Sequence, residues 1–260
     1  MDLGIRDRTA LVLGGGGGLG AAIARALGAE GARVALADVN LEAARAAAAT
    51  VGKEGVTHAL QWDLADLSVI DARVSEVENV LGAVDILVNI TGGPPPTPAS
   101  GQSPQVWRSH FDSMVCSVIA TTDRVLPGMR TRRWGRILTS TSSGVIAPIP
   151  NLGISNALRS ALVTWSKTLA REVGREGITC NILVPGRIAT PRIKALDEAR
   201  AKREGRAVAE VSAESMASIP LGRYGEPEEY AAAAAFLASA QASYITGMVM
   251  RIDGGLIASV

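Results

Sequence analysis

Two kinds of apolar run alternate along the chain. Short runs of aliphatic and β-branched residues, apolar at nearly every position, occur at 9–13, 33–37, 56–61, 85–89, 136–140, 178–184 and 248–252. Runs of that length, apolar on both faces, predict buried strands of a parallel sheet. Between them lie helix-length segments rich in Ala and Leu at 19–29, 41–51, 67–80, 104–130, 153–172 and 227–238. Strand, helix, strand, repeated six times, predicts an α/β fold: a doubly wound parallel sheet of about seven strands with helices on both faces. No Pro/Ser-rich linker and no repeat interrupts it, so one domain is expected over 1–260.

Two segments break the alternation. The Gly- and Pro-rich stretch 91–105 follows a strand end, where active-site loops belong. The polar stretch 190–217 carries Ile193, Leu196 and Ala199 at helical spacing, which predicts an inserted helix or helix pair that covers a substrate. Its basic side chains outnumber its acids. A cover for an anionic substrate would look like this, although a solvated charged helix is the simpler reading.

Composition refines the picture only in places. The chain is 47% hydrophobic but 3% aromatic, so its core must be built from Ala, Val, Leu and Ile. A net charge of +1, without long runs of one sign, argues against nucleic-acid or membrane-surface binding. The first residues lack a basic-then-apolar secretory pattern, and no apolar run reaches the roughly 18 residues of a membrane span. Cys116 and Cys180 have no CxxC spacing, so two reduced thiols in a cytoplasmic protein are expected, with no metal site.

The candidate chemistry begins at L11-V-L-G-G-G-G-G-L-G20, where a glycine run closes the first strand and opens a helix. Such a turn lets backbone N–H groups approach a pyrophosphate, and the helix N-terminus adds partial positive charge. The second strand ends at Asp38, where an acid would accept from an adenosine ribose and repel a 2′-phosphate. Capping of the next helix is a compatible second role. No cation stands in the glycine turn or directly after Asp38, so NAD is expected over NADP.

With these residues in place, the chain resembles the short-chain dehydrogenases/reductases. Gly14-xxx-Gly18-Leu19-Gly20 resembles their T-G-x-x-x-G-x-G, with Leu13 where Thr is usual. Asp63-Leu64 stands at the adenine contact, and Asn89-Ile90-Thr91-Gly92 stands for N-N-A-G. Pro185-Gly186-Arg187-Ile188-Ala189-Thr190 matches the segment that touches the nicotinamide end, and Tyr244–Gly247 and Asp253–Gly255 fit the tail. The resemblance implies a Rossmann-type sheet, NAD(H) as cofactor, a small-molecule carbonyl or hydroxyl substrate, and a homotetramer or homodimer.

The resemblance also locates the family's Asn, Ser, Tyr and Lys. Ser142 stands at the Ser position, but Met114, Ser155 and Arg159 stand at those of Asn, Tyr and Lys. Tyrosine ionises near pH 10, and a cation about 4 Å away at effective dielectric ~20 is worth about 4 kcal/mol, enough to bring it near neutrality. An aliphatic hydroxyl, on the order of water at about 15.7, stays un-ionised with the same help. Ser155 and Arg159 are therefore suited to holding a developing oxyanion and poorly suited to donating a proton. Arg159 is also placed to hold the nicotinamide ribose.

Three functions follow, in order of preference. The first is an oxidoreductase whose proton comes from water or substrate. The second is a non-redox enzyme using Ser142, Ser155 and Arg159, and the third is an NAD(H)-binding sensor. His110, one turn before Met114, is read as packed or exposed, and His58 has no evident partner. Lys167 lies two turns past Arg159, too far to replace the missing lysine. Met114, Val145, Ile149, Pro150 and Leu152 predict an apolar substrate pocket.

Overall fold

The computed structural model describes residues 2–52 and 56–260. In chain order the first half runs β1 (Thr9–Leu13), α1 (Gly18–Ala29), β2 (Arg33–Asp38), α2 (Leu41–Ala48), β3 (Thr57–Gln61), α3 (Ile70–Leu81) and β4 (Val84–Asn89). There follow α4 (Pro104–Phe111), α5 (Ser117–Arg132), β5 (Gly135–Ser140), α6 (Gly153–Val173) and β6 (Ile178–Pro185). The chain closes with α7 (Pro191–Glu204), α8 (Val208–Ala217), α9 (Pro227–Ala238) and β7 (Val249–Ile252).

Among the described residues the strands form one sheet in the order β3-β2-β1-β4-β5-β6-β7, every neighbouring pair parallel. After β3 the chain crosses back to lay β4 against the other side of β1. That reversal opens a crevice above the carboxyl ends of β1 and β4.

Alternation along each strand divides the core into two layers. Ala10 and Val12 of β1 pack with Ile23 and Leu27 of α1 and with Tyr230 and Leu237 of α9. Leu11 and Leu13 face the opposite way, towards Val74 and Leu81 of α3, Met129 of α5 and Leu169 of α6. Each fully buried aliphatic side chain contributes about 1.5–3 kcal/mol relative to exposure. Burial on both faces explains why the strands read as continuous apolar runs.

Two elements differ from the sequence expectation, and a third takes one of the two forms expected of it. The stretch 67–80 opens with a single 3₁₀ turn, Leu67–Val69, whose start Asp66 caps by accepting from the Ser68 N–H at 3.0 Å. The stretch 104–130 is interrupted by a π-helical turn at Asp112–Cys116, between α4 and α5. The polar stretch 190–217 folds as the pair α7–α8, broken at Gly205, whose φ of +64° suits a left-handed C-cap. No helix is long and apolar enough to cross a membrane, among the described residues.

Candidate functional site

The crevice holds a cavity of about 1080 Å³. Single small-molecule pockets run to ~300–1,000 Å³, so this one has room for an elongated ligand and a second molecule beside it. One wall is the glycine turn. Gly14 has φ +68°, and a Cβ on it would lie 2.6 Å from the Ile90 carbonyl oxygen, while a Cβ on Gly20 would lie 2.0 Å from the Gly14 oxygen. Only glycine fits either place. No side chain caps the start of α1 at Gly17, so its first N–H groups are available to an anion in the crevice.

The Asp38 carboxylate braces this turn. One oxygen accepts from the Gly16 N–H at 2.9 Å and the other from the Asn40 N–H at 3.0 Å. The cap of α2 is Asn40, which accepts from Ala43 at 3.1 Å, so capping that helix is not the role of Asp38. Val39, Trp62, Asp63 and Leu64 continue the wall at this end, without a cation among them.

At the other end, α6 presents Ser155 and Arg159 from one face, 6% and 8% exposed. The Arg159 guanidinium donates to the carbonyls of Ser140 (3.3 Å), Thr91 (3.2 Å) and Gly92 (3.1 Å). It thus ties the carboxyl end of β5 to the loop after β4, and three of its five N–H groups are committed to backbone. Burial lowers its pKa to about 10, the Tyr230 phenol partly offsets this, and Arg192 adds to it. Tyr230 lies fully buried, its hydroxyl 2.7 Å from Ser140 Oγ, and burial raises its pKa. Ser142 starts the turn Ser143–Val145, accepting from the Gly144 N–H at 3.1 Å.

The π turn carries Met114, 2% exposed, into the same wall as Ser142 and Ser155. A π turn re-aims side chains by inserting a residue into the helical register, and such turns concentrate at functional sites. The 91–103 loop is pinned to the start of α6 by a short parallel bridge. In it Thr97 N–H donates to Asn151 (2.7 Å) and Gly153 N–H to Thr97 (3.0 Å).

The fourth wall descends from β6. Pro185, Gly186, Ile188 and Thr190 all border the cavity, and Thr190 caps α7 by accepting from Ile193 at 3.4 Å. Asp197 of α7 is 2% exposed and accepts from Arg187 (2.9 Å), Ser212 of α8 (3.1 Å) and the Tyr224 hydroxyl (2.6 Å). One buried carboxylate thereby fastens the helix pair to the chain on either side.

Gly14, Gly18, Leu19, Asp38, Asp63, Leu64, Gly92, Ser142, Ser155, Arg159, Pro185, Gly186, Ile188 and Thr190 meet on this cavity. Gly20 and Asn89 do not border it. Gly20 packs under the turn, and the Asn89 amide donates to Thr139 Oγ1 at 3.3 Å behind it. Of the apolar expectations, Met114, Ile149, Pro150 and Leu152 line the pocket and Val145 does not. His58 pairs with Glu76 at 2.9 Å, and Lys167 donates to the Gly247 carbonyl at 2.8 Å. Sequence reasoning missed His110 and Arg192, which both border the cavity. The one-turn spacing of His110 from Met114 was the available signal for the first; nothing local marks the second.

A family model described as "Enoyl-(Acyl carrier protein) reductase" matches residues 15–257. The 3-oxoacyl-(acyl-carrier-protein) reductase FabG of Escherichia coli (strain K12) is 33% identical over 256 residues, covering 98% of this chain and 99% of its own. Among solved structures, the L-sorbose reductase from Gluconobacter frateurii, complexed with NADPH and L-sorbose, superposes with a TM-score of 0.90 at 30% identity, over 100% of both chains. YwfH, an NADPH-dependent reductase involved in bacilysin biosynthesis, superposes at 0.92 with 28% identity, over 97% of this chain and 99% of its own. Sheet order, glycine turn and relatives agree: the chain belongs to the short-chain dehydrogenase/reductase family.

Proposed function

We propose that the protein is an NAD(H)-dependent oxidoreductase acting on a carbonyl or hydroxyl group of a small molecule, with an atypical source of the proton. The cofactor, when bound, supplies the hydride. The N–H groups at Gly17–Leu19 would hold its pyrophosphate, Asp38 its adenosine ribose, and Asp63–Leu64 its adenine. Gly92, Pro185, Gly186, Ile188 and Thr190 would border the nicotinamide end. The Asp38 carboxylate, fixed by two backbone N–H groups beside the glycine turn, carries the preference for NAD, since a 2′-phosphate there would meet a negative charge. The solved relatives quoted above are named with NADPH.

Ser142, Ser155 and Arg159 form the oxygen-binding part of the site, and none of them supplies a proton at neutrality. A serine hydroxyl stays un-ionised and arginine holds its proton. Of the titratable groups on the wall, Asp38 and Asp63 sit at the adenosine end, and Glu204 is engaged with Arg200 at 2.8 Å. That leaves His110, half-buried, as the side chain able to relay a proton from solvent.

The test is turnover of NADH on a generic ketone. Slow turnover is expected of the native chain, with a rise on combining Ser155→Tyr, Arg159→Lys and Met114→Asn. Native turnover as fast as that of ordinary family members, unchanged by His110→Ala, would contradict this reading.

A further inference from the structure

We infer that Arg159 and Arg192 together form a carboxylate subsite, so that the substrate carries an anionic group close to its reacting carbon. This rests on the proposed oxidoreductase function and names its substrate class. Five arginines border the cavity: Arg159, Arg187, Arg192, Arg200 and Arg203. Arg187 pairs with Asp197 at 2.9 Å, Arg200 with Glu204 at 2.8 Å, and Arg203 lies 3.6 Å from Glu204. Among the described residues no carboxylate pairs with Arg159 or Arg192. Their protein partners are neutral carbonyls, three for Arg159 and Pro94 for Arg192 at 2.9 Å.

The two guanidinium groups flank one glycine. A Cβ built on Gly93 would lie 3.3 Å from Arg192 Nη2 and 3.6 Å from Arg159 Nη2. Two like charges this close, one of them buried, repel each other and raise the cost of burial unless an anion answers both. Arg159 still has its Nε–H and one Nη1–H uncommitted to backbone, and Arg192 commits one N–H, so single charged donors from the two side chains can converge on one carboxylate. The nearby wall is apolar at Met114, Ile149 and Leu152. A 2-oxo acid with an apolar tail fits both surfaces. The cofactor's pyrophosphate is the other anion that could reach Arg192, which is two residues past Thr190, itself beside Gly18.

A matched pair of probes separates the two sources: 4-phenyl-2-oxobutanoate and its ethyl ester, titrated calorimetrically into the NADH-loaded protein. The acid should bind at least about tenfold more tightly than the ester, the scale of one charge-assisted hydrogen bond. Arg192→Met should remove most of that difference while leaving NADH affinity within about threefold, and Arg192→Lys should keep part of it. Unchanged melting temperature in both variants excludes misfolding as the cause. Ester binding equal to the acid overturns the subsite, as does an Arg192→Met variant that loses NADH affinity with the acid-to-ester ratio intact. A protein that binds no NADH defeats the oxidoreductase reading instead, so the two failures are distinguishable.

Discussion

Arg159 illustrates how one side chain can be both a structural tie and part of a binding site. Lowering its pKa from the ordinary arginine value to about 10, chiefly through burial, corresponds to roughly 3 kcal/mol of burial cost. Against this stand three hydrogen bonds from a charged donor, each worth ~1.5–3 kcal/mol. The bonds win, so Arg159→Met should destabilise the fold by about 1.5–6 kcal/mol and lower the melting temperature by several degrees or more. The pH dependence has a definite sign. Because the folded pKa is lowered, the charge penalty is full below it and fades as pH climbs past about 10, so the native chain should gain on the Met variant there. A variant as stable as the native protein at neutral pH would show that the carbonyl ties contribute little. His110→Ala should cut turnover about 10²-fold or more, within the range of a lost general acid, and leave NADH affinity unchanged. Equal turnover would show that water alone relays the proton.

At the scale of elements, the polar pattern of 190–217 announced helices but not how they are fastened. The single acid holding them, Asp197, looks in sequence like any other charge on a solvated helix. It is buried only because Arg187, Ser212 and Tyr224, 10, 15 and 27 residues away, converge on it. Asp197→Ala leaves a half-buried guanidinium unpaired, a change worth about 3–5 kcal/mol for a fully buried pair and less here. Limited proteolysis should then cut between 191 and 217 at least tenfold faster than in the native chain; an unchanged pattern would mean that the apolar contacts of α7 and α8 suffice. The π turn at Asp112–Cys116 was hidden for a similar reason. Met114 and Val115 of that turn pack in one cluster with Ile154 and Leu158 of α6, and no local signal marks the insertion.

For the molecule as a whole, strand positions and helix cores were legible because burial on both faces leaves a continuous apolar signature in a parallel sheet. The glycine turn was legible because Gly14 and Gly20 tolerate no Cβ, and the place of Asp38 beside it because Asp38 ends the next strand. The Arg159–Arg192 pairing was not, since it joins β5, the 91–103 loop and α7 across a crevice that only the fold creates. The edge strand β7 leaves Val249 and neighbouring Leu221 37% and 66% exposed, and Tyr244 fully so. An open edge with apolar neighbours favours self-association. Light scattering at micromolar concentration should give a dimer or tetramer, and a monomer would contradict that expectation.

The most direct test of the central claim is a fluorescence titration with NADH and NADPH in turn, following energy transfer from Trp62 on the crevice wall. NADH should bind at least about tenfold more tightly, the equivalent of 1.4 kcal/mol of repulsion between Asp38 and a 2′-phosphate. NADPH binding as tight as NADH, or tighter, would contradict it.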